Sequence, residues 1–228
     1  MGTQKNILMV ITSYEKIDAS HATGLWLEEF AVPYLEFVSR KYAVTVASIR
    51  GGKVPVDPRS EPKPEQAQAW ADAIHTLQKT VPVDSVCAAD FQAIFLPGGH
   101  GTMFDLPQNA SLQNLLAAFA ETKKVIGAVC HGPAGLVGVK LKNGALLVAG
   151  KQITAFTNEE ERAAGMDKLM PFLLESRLSE LGAKFIARPN WSDHVEQDDL
   201  LITGQNPQSS ASVARAVADA VARSTVSS

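Results

Sequence analysis

A chain of 228 residues with 46% hydrophobic content can bury a full core. Its formal net charge of −3, with no Lys/Arg tract, excludes electrostatic capture of nucleic acid or of an anionic membrane as an organising function and leaves small molecules or proteins as partners. Two cysteines, Cys87 and Cys130, are too few for a disulfide framework and suit a reducing compartment.

In chain order, Met1-Gly2-Thr3-Gln4-Lys5-Asn6 leads straight into the apolar run Ile7–Ile11, which is too short for a signal-peptide core and reads as a strand. Asn6 stands where a myristoylation signal carries Ser or Thr, and no run approaches the roughly 18 apolar residues of a membrane span, so a cytoplasmic protein is expected. Ile7–Thr12, Val44–Ile49, Phe91–Leu96 and Val125–Val129 read as strands, with helical patterns between them. Nearly continuous apolar runs, not alternating ones, predict strands covered on both sides. The fold class is therefore α/β, a doubly wound, mostly parallel sheet in one domain over 1–228. Leu25–Val38 reads as a helix that should kink at Pro33, where the hydrogen bond to the Glu29 carbonyl is lost.

Residues 51–89 form an insert with five prolines around a helix-like stretch, Glu65–Lys79, placed to shape the rim of a site. Beyond Cys130 the pattern predicts a helical start, a hairpin through Leu146–Val148 and Gln152–Thr154, a helix Met170–Leu181, two short strands, and an Ala-rich helix after Pro207. Cys87, in a stretch without special features, reads as a buried small hydrophobe.

The segment Val125-Ile126-Gly127-Ala128-Val129-Cys130-His131-Gly132-Pro133 reads strand, turn, helix. A nucleophile on such a turn needs small neighbours, and Ala128 and Gly132 flank Cys130 at two residues on either side. A helix starting there would stabilise the thiolate through its dipole and unpaired amides. A second turn, Pro97-Gly98-Gly99-His100-Gly101, follows the preceding strand and would reach the same edge of the sheet. Its glycines would let backbone approach a substrate, with the Gly99 and His131 amides as an oxyanion hole and Gly98 and His100 beside it. Neither turn has phosphate-loop spacing.

These turns, with Thr12-Ser13-Tyr14, Thr23-Gly24, Glu29, Thr154-Ala155-Phe156-Thr157-Asn158 and Thr203-Gly204-Gln205-Asn206-Pro207, span almost the whole chain. The chain resembles the ThiJ/PfpI superfamily, whose fold is that of class I glutamine amidotransferases, and within it the small heat-shock-inducible subgroup credited with glutathione-independent glyoxalase activity. The resemblance implies Cys130 as nucleophile, His131 as its neighbour, Glu161 as third member of a Cys-His-Glu set, and Glu29 as the carboxyl beside the sulfur. It also favours a homodimer. Glu159, Glu160 and Glu161 are consecutive, and a solvated first helical turn would place all three in water. Glu29 has support of its own: a carboxyl on a largely apolar, proline-interrupted helix is costly unless used, and beside a thiol it would share a proton. His194-Val195-Glu196 echoes the amidotransferase His-x-Glu but sits among polar turn residues. His21 and His75 read as surface histidines. No compact His/Cys spacing suggests a metal, and no cofactor is expected.

The resemblance implies conversion of methylglyoxal, a small carbonyl substrate, to lactate (the reaction class of a D-lactate dehydratase). A cysteine hydrolase or amidase of the same fold, needing a wide cleft, and a stress chaperone or redox sensor are the alternatives.

Overall fold

The computed structural model describes residues 5–224, so the reading of Met1–Gln4 lies outside the described residues. Its elements are β1 (Asn6–Ile11), α1 (Leu27–Ser39), β2 (Ala43–Ser48), α2 (Pro64–Ala69), α3 (Ala71–Thr76), β3 (Val81–Pro82), β4 (Ala93–Leu96), α4 (Thr102–Asp105), α5 (Ala110–Glu121) and β5 (Val125–Val129). Then come β6 (Gln152–Ile153), α6 (Asn158–Ala163), α7 (Leu174–Glu180), β7 (Lys184–Phe185), β8 (Val195–Asp198), β9 (Leu201–Gly204) and α8 (Ser210–Arg223).

Seven strands form one sheet in the order β3-β2-β1-β4-β5-β9-β8, parallel except for β8, which runs antiparallel to β9 at the edge. Successive strand residues feed opposite faces, as the period-two pleat requires. Leu8, Val10, Ile94, Leu96 and Ile126 pack with Leu112, Leu116 and Phe119 of α5, while Ile7, Met9, Phe95 and Val129 pack with Phe30 and Phe37 of α1 and Val213 and Val217 of α8. The sheet is thus covered on both faces, the doubly wound arrangement that the apolar runs predict.

Helix α1 runs through Pro33 without ending. The helix expected over Glu65–Lys79 is two short ones, α2 and α3, meeting at Trp70. The expected hairpin does not form. Gln152–Ile153 pairs in parallel with Lys184–Phe185, a partner some 30 residues on, and Leu146–Val148 lies in no strand. Parallel pairing needs a crossover, here carrying α6 and α7, and nothing local in the sequence distinguishes it from a hairpin. Cys87 is exposed, not buried, because its stretch crosses the surface before β4; both cysteines are free.

Register positions the site. Leu96 pairs with Ala128, and Val129 with Gly204, so the chain leaves β4, β5 and β9 at one level. The connections run outward in opposite directions from β1 and β4, and ligands of open α/β sheets bind at such a switch point.

Candidate active site

Cys130 follows β5 with φ of +59°, a left-handed conformation that costs a non-glycine residue about 1 kcal/mol. Its amide donates to Gly204 O and its carbonyl accepts from Phe156 N, so neighbouring segments hold the strained residue in place. Beyond His131 the chain forms a five-residue 3-10 turn, Gly132–Leu136, not the expected α-helix. Only a brief backbone dipole is aimed at the sulfur, and the thiol, 3% exposed, is pushed up by burial and next by the negative charge of Glu29.

Glu29, on the first turn of α1, is fully buried. Its Oε2 accepts the Gly98 amide at 2.8 Å; its Oε1 has no hydrogen bond among the described residues, although the carboxyl lies close enough to Cys130 for the two to titrate as a pair. Burial drives this carboxyl well above its usual range. Holding the proton at Oε1 satisfies the otherwise unpaired oxygen and removes the like charge that opposes a thiolate. Glu28, next to it, is half-buried.

His131 presents Nδ1 to Cys130 Sγ at 3.3 Å and Nε2 to Glu161 Oε2 at 2.7 Å. Glu161 is thereby the acid of the consecutive three that joins the thiol's neighbours. Glu159 is exposed, and Glu160, though buried, faces away: it caps α6 through Thr157 and accepts from Trp191 N, Gln205 Nε2 and Asn206 Nδ2. Burial opposes ionisation of Glu161, but His131 and His100 outweigh it and hold the carboxyl well below its usual range.

His100 supplies the second bond to Glu161, Nε2 to Oε1 at 2.8 Å, and its ring lies 4.2 Å from that of His131. Its Nδ1 meets Arg59 Nη2 at 2.9 Å. Arginine only donates, so His100 Nδ1 is a lone pair and its proton sits on Nε2, facing Glu161. Burial, then His131, lower His100 to about 4, so the ring is neutral at ordinary pH. With Glu161 ionised and bonded to both Nε2 atoms, a neutral His131 turns its Nδ1 lone pair to the thiol. His100, His131 and Glu161 also bring three ligand-type atoms within 4.8 Å, a cluster that the linear spacing hides, since 61 residues separate His100 from Glu161. A cation there would need lone pairs at both Nε2 positions, whereas the Arg59 bond puts the His100 proton on one of them.

The glycines of the second turn serve protein packing first. A Cβ at Gly98 would lie 2.5 Å from Glu29 Oε2 and 2.7 Å from His131 N, and Gly99, at φ of +100°, presses against Gly24 and Trp26. Thr102 Oγ1 sits between the carbonyls of Gly99 and His131, at 2.8 and 3.0 Å, and ties the two turns together. The Gly99 and His131 amides donate to no acceptor among the described residues, whereas Gly98's is taken by Glu29.

A cavity of about 190 Å³ opens over the thiol, walled by Trp26, Phe156 and Trp191, with Gly99, His100, His131 and Arg59 at its polar side. A larger one, about 510 Å³, lies near Ser13, Arg50 and Lys53 and is lined by neither cysteine nor histidine. His21 and His75 are exposed, and His194 pairs with Glu196 at 3.0 Å beside β8, joined by no hydrogen bond among the described residues to the thiol network.

Sequence reasoning missed Asp57 and Arg59 and gave no role to Thr102, Phe156 or Trp191. Asp57-Pro58 carries the signature of a cap, and Asp57 does cap a short turn, but what Arg59 then touches is 41 residues away.

The DJ-1/PfpI family model matches residues 21–220. The chain is 32% identical to the glutathione-independent glyoxalase hsp3101 of Schizosaccharomyces pombe, over 95% of this chain and 96% of that protein. Among solved structures it is similar to the 24 kDa rapid encystment protein of Francisella tularensis, at 35% identity and TM-score 0.90 over 96% and 99% of the two chains. It is also similar to glyoxalase III of Candida albicans, at 28% identity and TM-score 0.88 over 95% and 97%. A family match over most of the chain, reinforced by full-length relatives, establishes that this protein belongs to the DJ-1/PfpI family.

Proposed function

We propose that the protein is a glutathione-independent glyoxalase that converts methylglyoxal and water to D-lactate without a cofactor. One observation carries the reading: a fully buried carboxyl, Glu29, with one oxygen anchored by Gly98 and the other unpaired next to a buried thiol. A thiol hydrolase has no need of it, whereas moving a proton between two carbons does. The 32% identity to a protein named a glutathione-independent glyoxalase supports the same activity.

In this mechanism Glu29 and Cys130 begin with one proton between them. The thiolate attacks the aldehyde carbon, and the charge passes to oxygen, where the Gly99 and His131 amides receive it. Glu29 protonates that oxygen, giving the hemithioacetal, and is left as a carboxylate. It then takes the hydrogen from the former aldehyde carbon as the ketone oxygen is protonated to the enediol, and returns it to the neighbouring carbon as the first oxygen gives up its hydroxyl proton, so that one proton passes from the first oxygen to the second and a lactoyl thioester results. Water, deprotonated by His131 with Glu161 holding the imidazolium, cleaves the thioester to lactate and thiol.

The second reading, a cysteine hydrolase, is supported by the Cys130-His131-Glu161 geometry alone. The 190 Å³ cavity with three aromatic walls counts against a peptide substrate.

The test is D-lactate formation from methylglyoxal without glutathione. Wild type is expected to turn over, and Cys130→Ser and Glu29→Gln to lose at least about 100-fold in kcat/KM. An inactive wild type whose Cys130 is still readily alkylated sinks the glyoxalase reading and favours the hydrolase.

A further inference from the structure

Arg59 is held more tightly than a surface arginine needs to be, yet one edge of it is idle. Its Nε and Nη2 bond to Asp57 at 2.9 and 2.6 Å, and Nη2 also meets His100. Nη1 makes no hydrogen bond among the described residues. Asp57 is completely buried behind it, while the Arg59 side chain is 39% exposed and lines the thiol's cavity. It is the cation of that cavity, close enough for the charges of Glu161 and Cys130 to act on it. A guanidinium fixed at two nitrogens, with the third unbonded and the residue lining a small pocket, is preorganised to receive an anionic oxygen at little entropic cost.

We propose that the Nη1 edge of Arg59 is a carboxylate subsite, so that the cavity takes short 2-oxo and 2-hydroxy carboxylates with their apolar end against Phe156 and Trp191. The proposal rests on the reading that substrate binds over Cys130. It gives the 51–89 insert a role in the site, and it makes the enzyme's own carboxylate product a ligand that competes with the neutral aldehyde. The cavity volume suits three-carbon acids rather than long-chain ones.

Alkylation of Cys130 tests this without needing turnover. Iodoacetate and iodoacetamide each place a two-carbon group on sulfur and release iodide, and they differ in charge. In a Cys87→Ser background, which removes the exposed second thiol, the ratio of the iodoacetate to the iodoacetamide rate is measured for wild-type Arg59, Arg59→Lys, and the charge-neutral pair Arg59→Met with Asp57→Asn. The ratio cancels any general change in thiol reactivity, and circular dichroism checks the fold. The expected result is a ratio about tenfold lower in the neutral pair, the size of one charged hydrogen bond, with Lys retaining most of it. Pyruvate and D-lactate should slow iodoacetamide in the wild-type background but not in the neutral pair. An unchanged ratio, or equal protection in both proteins, overturns the proposal. A lowered ratio in a protein that does not turn over methylglyoxal leaves the subsite standing and removes the glyoxalase reading.

Discussion

At Glu29 the two carboxyl oxygens have different neighbours, and a glutamine would sort itself accordingly. Its carbonyl must accept the Gly98 amide, which turns its NH₂ toward Cys130. Glu29→Gln therefore keeps a donor beside the sulfur while abolishing proton transfer. Iodoacetamide labelling of Cys130 near pH 7 should change by less than about threefold, whereas glyoxalase turnover falls about 100-fold or more. Equal losses in both assays would mean that the carboxyl serves the thiol alone. Glu161 gives the opposite case. It accepts two N–H bonds, at 2.8 and 2.7 Å, and Glu161→Gln has one carbonyl to offer, so one histidine N–H would face an NH₂. Leaving that buried donor unpaired should cost about 3 kcal/mol and lower Tm by roughly 6–12 °C, measured by thermal unfolding, with loss of turnover. That Glu161 and not its neighbours enters the site could not be read from three consecutive acids. The choice depends on which face of α6 turns to His131 and which to Trp191 and Asn206.

Among elements, the two turns form a unit. Gly98 approaches Glu29, Val129 O and His131 N so closely that a methyl must displace backbone, which cannot yield as a flexible side chain does. Gly98→Ala should lower Tm by several degrees and slow Cys130 alkylation at least about tenfold, since it pushes on both partners of the thiol. Normal alkylation in this variant would contradict the coupling. The glycines were legible as close-approach positions, but their partner is the protein's own backbone and carboxyl, which only the packing of α1 across the turn reveals. The turn that carries Cys130 was legible too, from the small residues around it. Its continuation as a 3-10 turn was not, because Pro133 suits the first turn of either helix type.

Over the whole molecule, a buried histidine and a half-buried carboxyl pull stability in opposite directions on acidification. His100, lowered to about 4, stays neutral while the unfolded chain takes up a proton below about 6.5, so its contribution is lost as pH falls through that window. Asp105, raised to about 6 by burial, keeps a proton that the unfolded carboxyl releases above about 4, so its contribution is present at low pH and lost as pH rises through 6. Each shift corresponds to about 3 kcal/mol, and between pH 4 and 6 they nearly cancel. Asp105→Asn removes one of them. Its stability should therefore fall by about 3 kcal/mol more than wild type's between pH 6.5 and 4, read from denaturant midpoints, and parallel curves would refute the assignment. Local sequence determined what local physics controls: apolar runs gave buried parallel strands, and small residues around a cysteine gave a strained turn at a strand end. Tertiary structure alone decided the Asp57-Arg59-His100-Glu161-His131-Cys130 chain of contacts, the parallel pairing of β6 with β7, and the choice among adjacent acids. Each of these joins groups that are neutral or costly where they stand in the chain and become favourable only when a residue from a distant segment supplies the missing donor or acceptor.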